Sequence, residues 1–160
     1  MANRAIKYRA YPTTKQSVMF AKTFGCCRKV YNLMLSDKIE GYKATGKFPT
    51  VTPAKYKNDY PYLREVDSLA LANKQMDLQE AFRNTFSKFR KKKNGFLKFK
   101  SAKHSRKSYT TNNQKGTVAI IGNKCIKPPK IGKVKAVIHR VPDDSWTIKS
   151  ATVSQESDGK

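Results

Sequence analysis

Between Lys88 and Lys107 ten residues are Lys or Arg, and Phe86, Phe89, Phe96, Phe99 and Tyr109 interleave with or border them. Cations at that density neutralise phosphates with release of counterions, while aromatic faces stack bases or anchor the segment to a core. The chemistry suggested is polyanion binding. The run belongs to a longer one. From Ala81 to Pro142 there is no Asp or Glu, yet that stretch holds 18 of the 34 Lys+Arg in the chain. A solvated basic face is the plainer reading of a short charge run. One sign of charge kept across a stretch that includes strand-like segments favours nucleic acid instead. A membrane-surface helix fits less well, because the most basic segment has no clean apolar stripe and is interrupted by Asn94-Gly95.

Residues for catalysis are sparse. Metal-dependent phosphodiester cleavage needs several carboxylates converging on Mg²⁺, and the only acids after Glu80 are Asp143, Asp144, Glu156 and Asp158. Asp143-Asp144 follows Pro142 and reads as a turn; the last two fall in a polar tail. His104 sits in a basic loop and His139 on a strand, neither with a Cys, Ser or acid at a useful spacing. Cys26, Cys27 and Cys125 form no metal-binding pattern and read as packing residues. The expectation is a chain with no catalytic residue, no metal site and no cofactor of its own.

The 160 residues carry a formal charge of +23, and 38% are apolar, so the core is modest. Eight Phe, eight Tyr and one Trp, together with regular apolar spacing, argue against disorder. No apolar run reaches the length of a membrane span, and Met1-Ala2-Asn3-Arg4 does not open a signal peptide. A cytoplasmic protein is expected, associated with the nucleoid when bound to DNA and with no membrane partner.

Elements to position these residues can be read from periodicity. Ile6, Tyr8 and Ala10 alternate with Lys7, Arg9 and Tyr11 up to Pro12, as in a half-buried strand. Thr13 or Thr14 then caps a helix running to about Tyr42, with room for a kink at Gly25 and a stop at Thr45-Gly46. A proline-bearing connector spans Lys47 to Tyr62, with a short helix after Thr52. Asp67 caps a second helix, whose stripe of Leu71, Leu78, Phe82, Phe86 and Phe89 leads into the basic cluster. From Lys107 onward β-branched residues and turn signals predict short strands near 117–121, 124–126, 134–141 and 147–153, with a hairpin turn at Gly122-Asn123. The fold class is α+β. A lone opening strand needs a partner, and the other strands all follow residue 107, so the helical block reads as an insertion into a small β module.

Several stretches carry a family resemblance. Lys7-Tyr8-Arg9-Ala10-Tyr11-Pro12, Phe24-Gly25-Cys26-Cys27-Arg28-Lys29-Val30-Tyr31-Asn32 and Tyr60-Pro61-Tyr62-Leu63-Arg64-Glu65-Val66-Asp67-Ser68 occur in order. They are followed by Gly95-Phe96-Leu97-Lys98-Phe99-Lys100-Ser101, Ser108-Tyr109-Thr110-Thr111 and Lys127-Pro128-Pro129-Lys130-Ile131-Gly132-Lys133-Val134-Lys135. Together these resemble the N-terminal landmarks of TnpB/OrfB, the insertion-sequence-encoded ancestors of type V CRISPR effectors. The resemblance implies a wedge (WED) β-barrel built from strand residues 1–12 and the remainder 107–160, with a helical recognition (REC) lobe inserted at 13–106. It also implies an RNA-guided DNA endonuclease whose partners are a guide RNA from the transposon end and double-stranded target DNA. This sequence holds no counterpart of that family's RuvC nuclease or zinc element. Mg²⁺ and Zn²⁺ would belong there, and a RuvC portion is an implied further partner.

Carried over residue by residue, the resemblance assigns adjacent-motif reading to Ser68, Leu69, Ala72, Asn73 and Gln75 at the opening of the second helix, and to Thr111. Many family members hold Gln where this chain has Ala72, so amide readout there either passes to Asn73 or is absent. RNA and heteroduplex backbone contacts are expected from Arg28, Lys29, Arg83, Lys88, Arg90, Lys91, Lys92, Lys93, Lys98, Lys100, Lys103, Arg106 and Lys107. Tyr109 is a candidate base-stacking ring, and Phe82, Phe86 and Phe89 are expected in the core. The alternative function is a sequence-specific DNA regulator using the first two helices as a helix-turn-helix. It requires a turn of a few residues where this chain has a long connector.

Overall fold

The structure, a computed structural model, describes residues 2–86 and 96–156. The expected contacts at Lys88 and Arg90 to Lys93, and Phe89 of the apolar stripe, lie outside them. In chain order the elements are β1 (Arg9–Tyr11), α1 (Thr14–Thr45), two short 3₁₀ turns (Pro53–Tyr56 and Pro61–Glu65) and α2 (Ser68–Phe86). Five strands follow: β2 (Lys107–Asn112), β3 (Ala119–Ile121), β4 (Cys125–Lys127), β5 (Val134–Val137) and β6 (Ser150–Gln155).

Helix α1 starts where its cap chemistry places it. The Gln16 amide N–H donates to Thr13 Oγ1 at 3.3 Å, and the Thr13 N–H donates back to Gln16 Oε1 at 2.9 Å, a reciprocal capping box. The Gln16 side-chain amide also donates to the Lys133 carbonyl at 2.6 Å, tying the helix start to the loop before β5. Gly46, at φ 73°, adopts the left-handed conformation that ends the helix. Helix α1 is unbroken through Gly25. Near its end Gly41 lets the connector pass close: a Cβ there would meet Pro49 Cγ at 2.6 Å.

The core lies between α1, α2, the connector and β2. Val30, Met34 and Leu35 of α1, Leu63 and Val66 of the connector, and Ala70, Leu71 and Leu78 of α2 are all fully buried. The Asp67 carboxylate accepts from the Leu69 N–H at 3.0 Å, as its capping role requires. The α2 stripe is buried only in part. Leu71 and Leu78 are enclosed, but Phe86 is 57% exposed, because it sits at the edge of an aromatic cluster with Phe48, Phe82 and Phe96 instead of over the core.

All strand pairs are antiparallel. β1 pairs with β5 in the register Arg9↔Val137, Ala10↔Ala136, Tyr11↔Lys135, so the opening strand finds its partner beyond the helical block. The strands nevertheless do not close into a barrel. Among the described residues they form a four-stranded sheet, β1-β5-β4-β3, and a separate ribbon, β2-β6. Short strands explain this. β1 has three residues and stops at Pro12, while Pro128-Pro129 and the left-handed Lys130 and Gly132 interrupt the chain before β5. The buried side of β2 packs against α1 and α2 instead of facing the other sheet. Asn113 bridges the two, donating to the Ile148 carbonyl at 2.9 Å and accepting from the Val118 N–H at 3.1 Å.

Strand β2 itself was not predicted from the sequence. Its pairing is set by β6, some forty residues away, through a ladder that includes the Thr110 and Thr152 hydroxyls at 2.8 Å.

Candidate nucleic-acid interface

A small cleft opens where α1, α2 and the segment leading into β2 meet. Arg28 comes from α1, Lys74 from α2, Lys100 and Arg106 from the segment before β2, and Lys107 from the start of β2. No Asp or Glu lines it. Five cations from separate parts of the chain thus share one concave surface, which focuses positive potential outward.

The backbone of this wall is held by Asn32. Its side-chain amide donates to the Lys100 carbonyl at 2.8 Å, and its oxygen accepts the Lys100 N–H at the same distance. That two-way bond stitches residues 96–100 to α1. The Lys100 ammonium lies 4.3 Å from the centroid of the Tyr31 ring, a cation–π contact. Burial, followed by the charge of Lys74, pushes the Lys100 pKa below its ordinary value. Lys74 is itself 91% removed from solvent (side chain 9% exposed) and pairs with Asp77 at 3.2 Å. Arg106 meets Glu156 at 3.7 Å with both side chains exposed, a pair worth little in water.

Cys27 borders the same cleft, but its thiol is pushed up to about 12, chiefly by burial, with Lys74 acting in the opposite direction. It is inert at neutral pH.

Among the other expected cations, Arg83, Lys98 and Lys103 are exposed, and Lys29 is half-buried with its ammonium 4.7 Å from the Tyr60 ring centroid. Arg28, Lys100, Arg106 and Lys107 are therefore the expected contacts that the fold gathers together. Lys74 was missed by the sequence reading. It lies three residues after Leu71 and four before Leu78, on the buried stripe of α2, and a lysine on an apolar stripe is the signal that could have exposed it.

The expected motif readers separate into two groups. Ser68 and Ala72 are exposed and Gln75 half-buried on the outer side of α2, with Ser68 Oγ accepting from Lys57 Nζ at 3.1 Å. Leu69 is half-buried, and Asn73 is buried with its amide donating to the Leu69 carbonyl at 2.8 Å. Thr111 is 0% exposed, its hydroxyl donating to the Asp67 carboxylate. It joins β2 to the cap of α2 and presents nothing to a duplex. Tyr109, the candidate stacking ring, is 2% exposed and packs on Phe24 and Phe20 at centroid distances of 5.6 and 6.5 Å. Both belong to the core, because alternation along β2 points residues 109 and 111 to the same inner side.

Exposed rings lie elsewhere. Tyr42 stacks on Phe48 at 4.5 Å, Phe48 meets Phe82 at 4.9 Å, and Phe86 and Phe96 complete a patch with Lys38 above Phe82 at 5.4 Å. Among the described residues no three His, Cys, Asp or Glu side chains are grouped to hold a metal ion, and no helix is long and apolar enough to cross a membrane.

The helix-turn-helix domain characteristic of OrfB of IS605 matches residues 1–47. A protein of Streptomyces pristinaespiralis named "Putative RNA-guided DNA endonuclease" is 35% identical over 112 residues, covering 66% of this chain and 27% of that protein. The chain belongs to the TnpB/OrfB family. It spans about a quarter of the length of the relative it matches. Within residues 1–47 the structure holds β1 and the single helix α1, and the next α-helix begins only at Ser68, after the two short 3₁₀ turns. The two helices are therefore not joined by the short turn that a helix-turn-helix regulator would need.

Proposed function

We propose that this chain is the nucleic-acid-binding portion of a TnpB-like RNA-guided DNA endonuclease: it holds guide RNA from the transposon end and takes part in reading the motif beside the DNA target. One observation carries this reading. Arg28, Lys74, Lys100, Arg106 and Lys107, distant in sequence, converge on a cleft that no acid lines. A-form helices are held by shape and phosphate contacts, which such a surface suits. In the same reading the sheet and ribbon correspond to the wedge, the helices α1 and α2 to the recognition lobe, and Ser68, Ala72 and Gln75 supply the groove-facing side. Cleavage and its Mg²⁺ are assigned to a RuvC portion, and Zn²⁺ to a separate zinc element, both outside these 160 residues.

The test is binding of labelled transposon-end RNA, scrambled RNA of equal length and duplex DNA across a salt series. Transposon-end RNA is expected to bind most tightly, with affinity falling steeply in salt, since the logarithmic slope is about −0.7 per phosphate neutralised on a single strand. Equal affinity for both RNAs at every salt concentration would sink guide recognition. Preference for duplex DNA alone would favour the regulator.

A further inference from the structure

The cation cleft has an interior that a general basic surface lacks. Burying an ammonium is costly unless it is paired. Lys74 is 9% exposed, and its hydrogen bond among the described residues goes to Asp77, which is itself half exposed. Lys100 stands near enough for the two charges to oppose each other. No carboxylate lies within ion-pair distance of Lys100, Arg28 or Lys107 among the described residues. The site thus holds more positive charge than its own chain neutralises, which favours an anion from outside.

The size and the neutral donors narrow the anion. The cavity is about 20 Å³, room for one or two oxygen-sized groups and too little for a nucleobase. Ser105 and Ser108 border it alongside the cations. A space of that size, bordered by hydroxyls and cationic groups, suits the one or two non-bridging oxygens of a phosphodiester, whose remaining atoms would stay outside it.

We propose that this cleft is a socket for one backbone phosphate of the bound nucleic acid, with Lys74 as its buried cation and Asp77 as the internal counter-ion that occupies Lys74 when the socket is empty. The proposal rests on the nucleic-acid reading above and adds a specific residue and a specific ligand group to it. Phosphate entry would give Lys74 a second partner and relieve the opposition between Lys74 and Lys100. The remaining surface cations would hold neighbouring phosphates as point charges without this enclosure.

Two variants act in opposite directions. Lys74→Met keeps the length of the side chain and removes the charge. Asp77→Asn keeps Lys74 and removes its competitor. Each is assayed by salt-series binding of a labelled single-stranded RNA and by thermal unfolding in sodium phosphate against sodium chloride at equal ionic strength. Lys74→Met is expected to weaken RNA binding roughly 10- to 100-fold, the worth of a charge-assisted hydrogen bond. It should also shallow the salt slope by about 0.7 and abolish the phosphate-specific rise in Tm. Asp77→Asn is expected to strengthen both responses, which a merely structural Lys74 would not produce. If Lys74→Met does not fold, Asp77→Asn decides alone.

Wild-type affinity and slope retained in both variants would overturn the socket while leaving the nucleic-acid reading in place. A phosphate effect lost in Lys74→Met without any change in RNA binding would assign the site to free phosphate and overturn the backbone assignment. Failure of the wild type to bind any RNA or DNA would refute the function proposed above, and with it the backbone source of the phosphate.

Discussion

Replacing Thr111 by Val separates a structural role for this residue from a nucleic-acid role. The side chain is 0% exposed, and its hydroxyl donates to the Asp67 carboxylate, whose other oxygen accepts the Leu69 N–H at 3.0 Å. Valine has nearly the same shape, so no cavity opens, but a buried carboxylate oxygen loses its donor. A hydrogen bond to a charged group is worth about 1.5–3 kcal/mol, and the added methyl returns somewhat less than 1 kcal/mol of apolar burial. The net loss is about 1–2 kcal/mol. For a chain of this size each kcal/mol moves Tm by about 2–4 °C, so a fall of about 2–8 °C is expected in thermal unfolding followed by circular dichroism at 222 nm. A double-mutant cycle with Asp67→Ala should show coupling of at least about 0.5 kcal/mol between the two sites. RNA and DNA affinity at a temperature where both proteins are folded should be unchanged. An unaltered Tm accompanied by weakened or relaxed DNA binding would refute this reasoning and return Thr111 to the motif-reading surface.

Three further outcomes follow from named contacts. Burial pushes the Asp37 pKa up, but hydrogen bonds from Lys55 at 2.7 Å and Tyr56 at 2.6 Å outweigh it and hold the carboxyl below its ordinary 3.8. A depressed folded pKa contributes stability that is present above the unfolded value and lost as pH falls through the folded one. Asp37→Asn should therefore lower urea-unfolding stability at pH 7, with the difference from wild type closing as pH is taken below 3.8. Gly41→Ala places a methyl 2.6 Å from Pro49 Cγ and should cost about 1–3 kcal/mol by forcing the connector away; a neutral result in denaturant titration would mean that the connector yields freely. Cys27 is 1% exposed with its pKa pushed up to about 12, Cys26 is buried with a raised pKa, and Cys125 is half-buried. A thiol reagent at pH 8 should modify Cys125 first and the adjacent pair only on unfolding; early labelling of Cys27 would contradict the packing described.

Local chemistry made some elements readable and left others dark. The caps at Thr13 and Asp67, the stop at Gly46 and the hairpin after Ile121 depend on residues within a few positions of each other, so they could be placed from the sequence. The pairing of β1 with a late strand was also legible, because an opening strand needs a partner and the other strand-like segments came after residue 107. That those strands stay open and form no barrel was not legible: it depends on strand lengths that Pro12, Pro128 and Pro129 cut short, and on β2 turning its inner side toward the helices. Tyr109 and Thr111 were misplaced for a related reason. Tyr109 borders a basic region and Thr111 matches a contact position only through the family resemblance; neither shows its burial until alternation along a strand is imposed, and β2 is not evident as a strand because its partner β6 is remote.

The same dependence on remote pairing governs the cation cleft. Residues 28, 74, 100, 106 and 107 become neighbours only when α1 packs on α2 and Asn32 binds the Lys100 backbone from both sides. An unfolded chain would carry the same +23 charge and would attract polyanions through counterion release alone, without regard to their shape. Charge composition therefore accounts for affinity of a general kind, while any preference for one folded transcript has to come from the packing that fixes these five cations relative to one another. The cost of holding Lys74 inside is understandable on that basis. A buried lysine adds little to stability, but in the socket proposed above it would give the surface a single point where phosphate position, and not merely phosphate charge, is recognised.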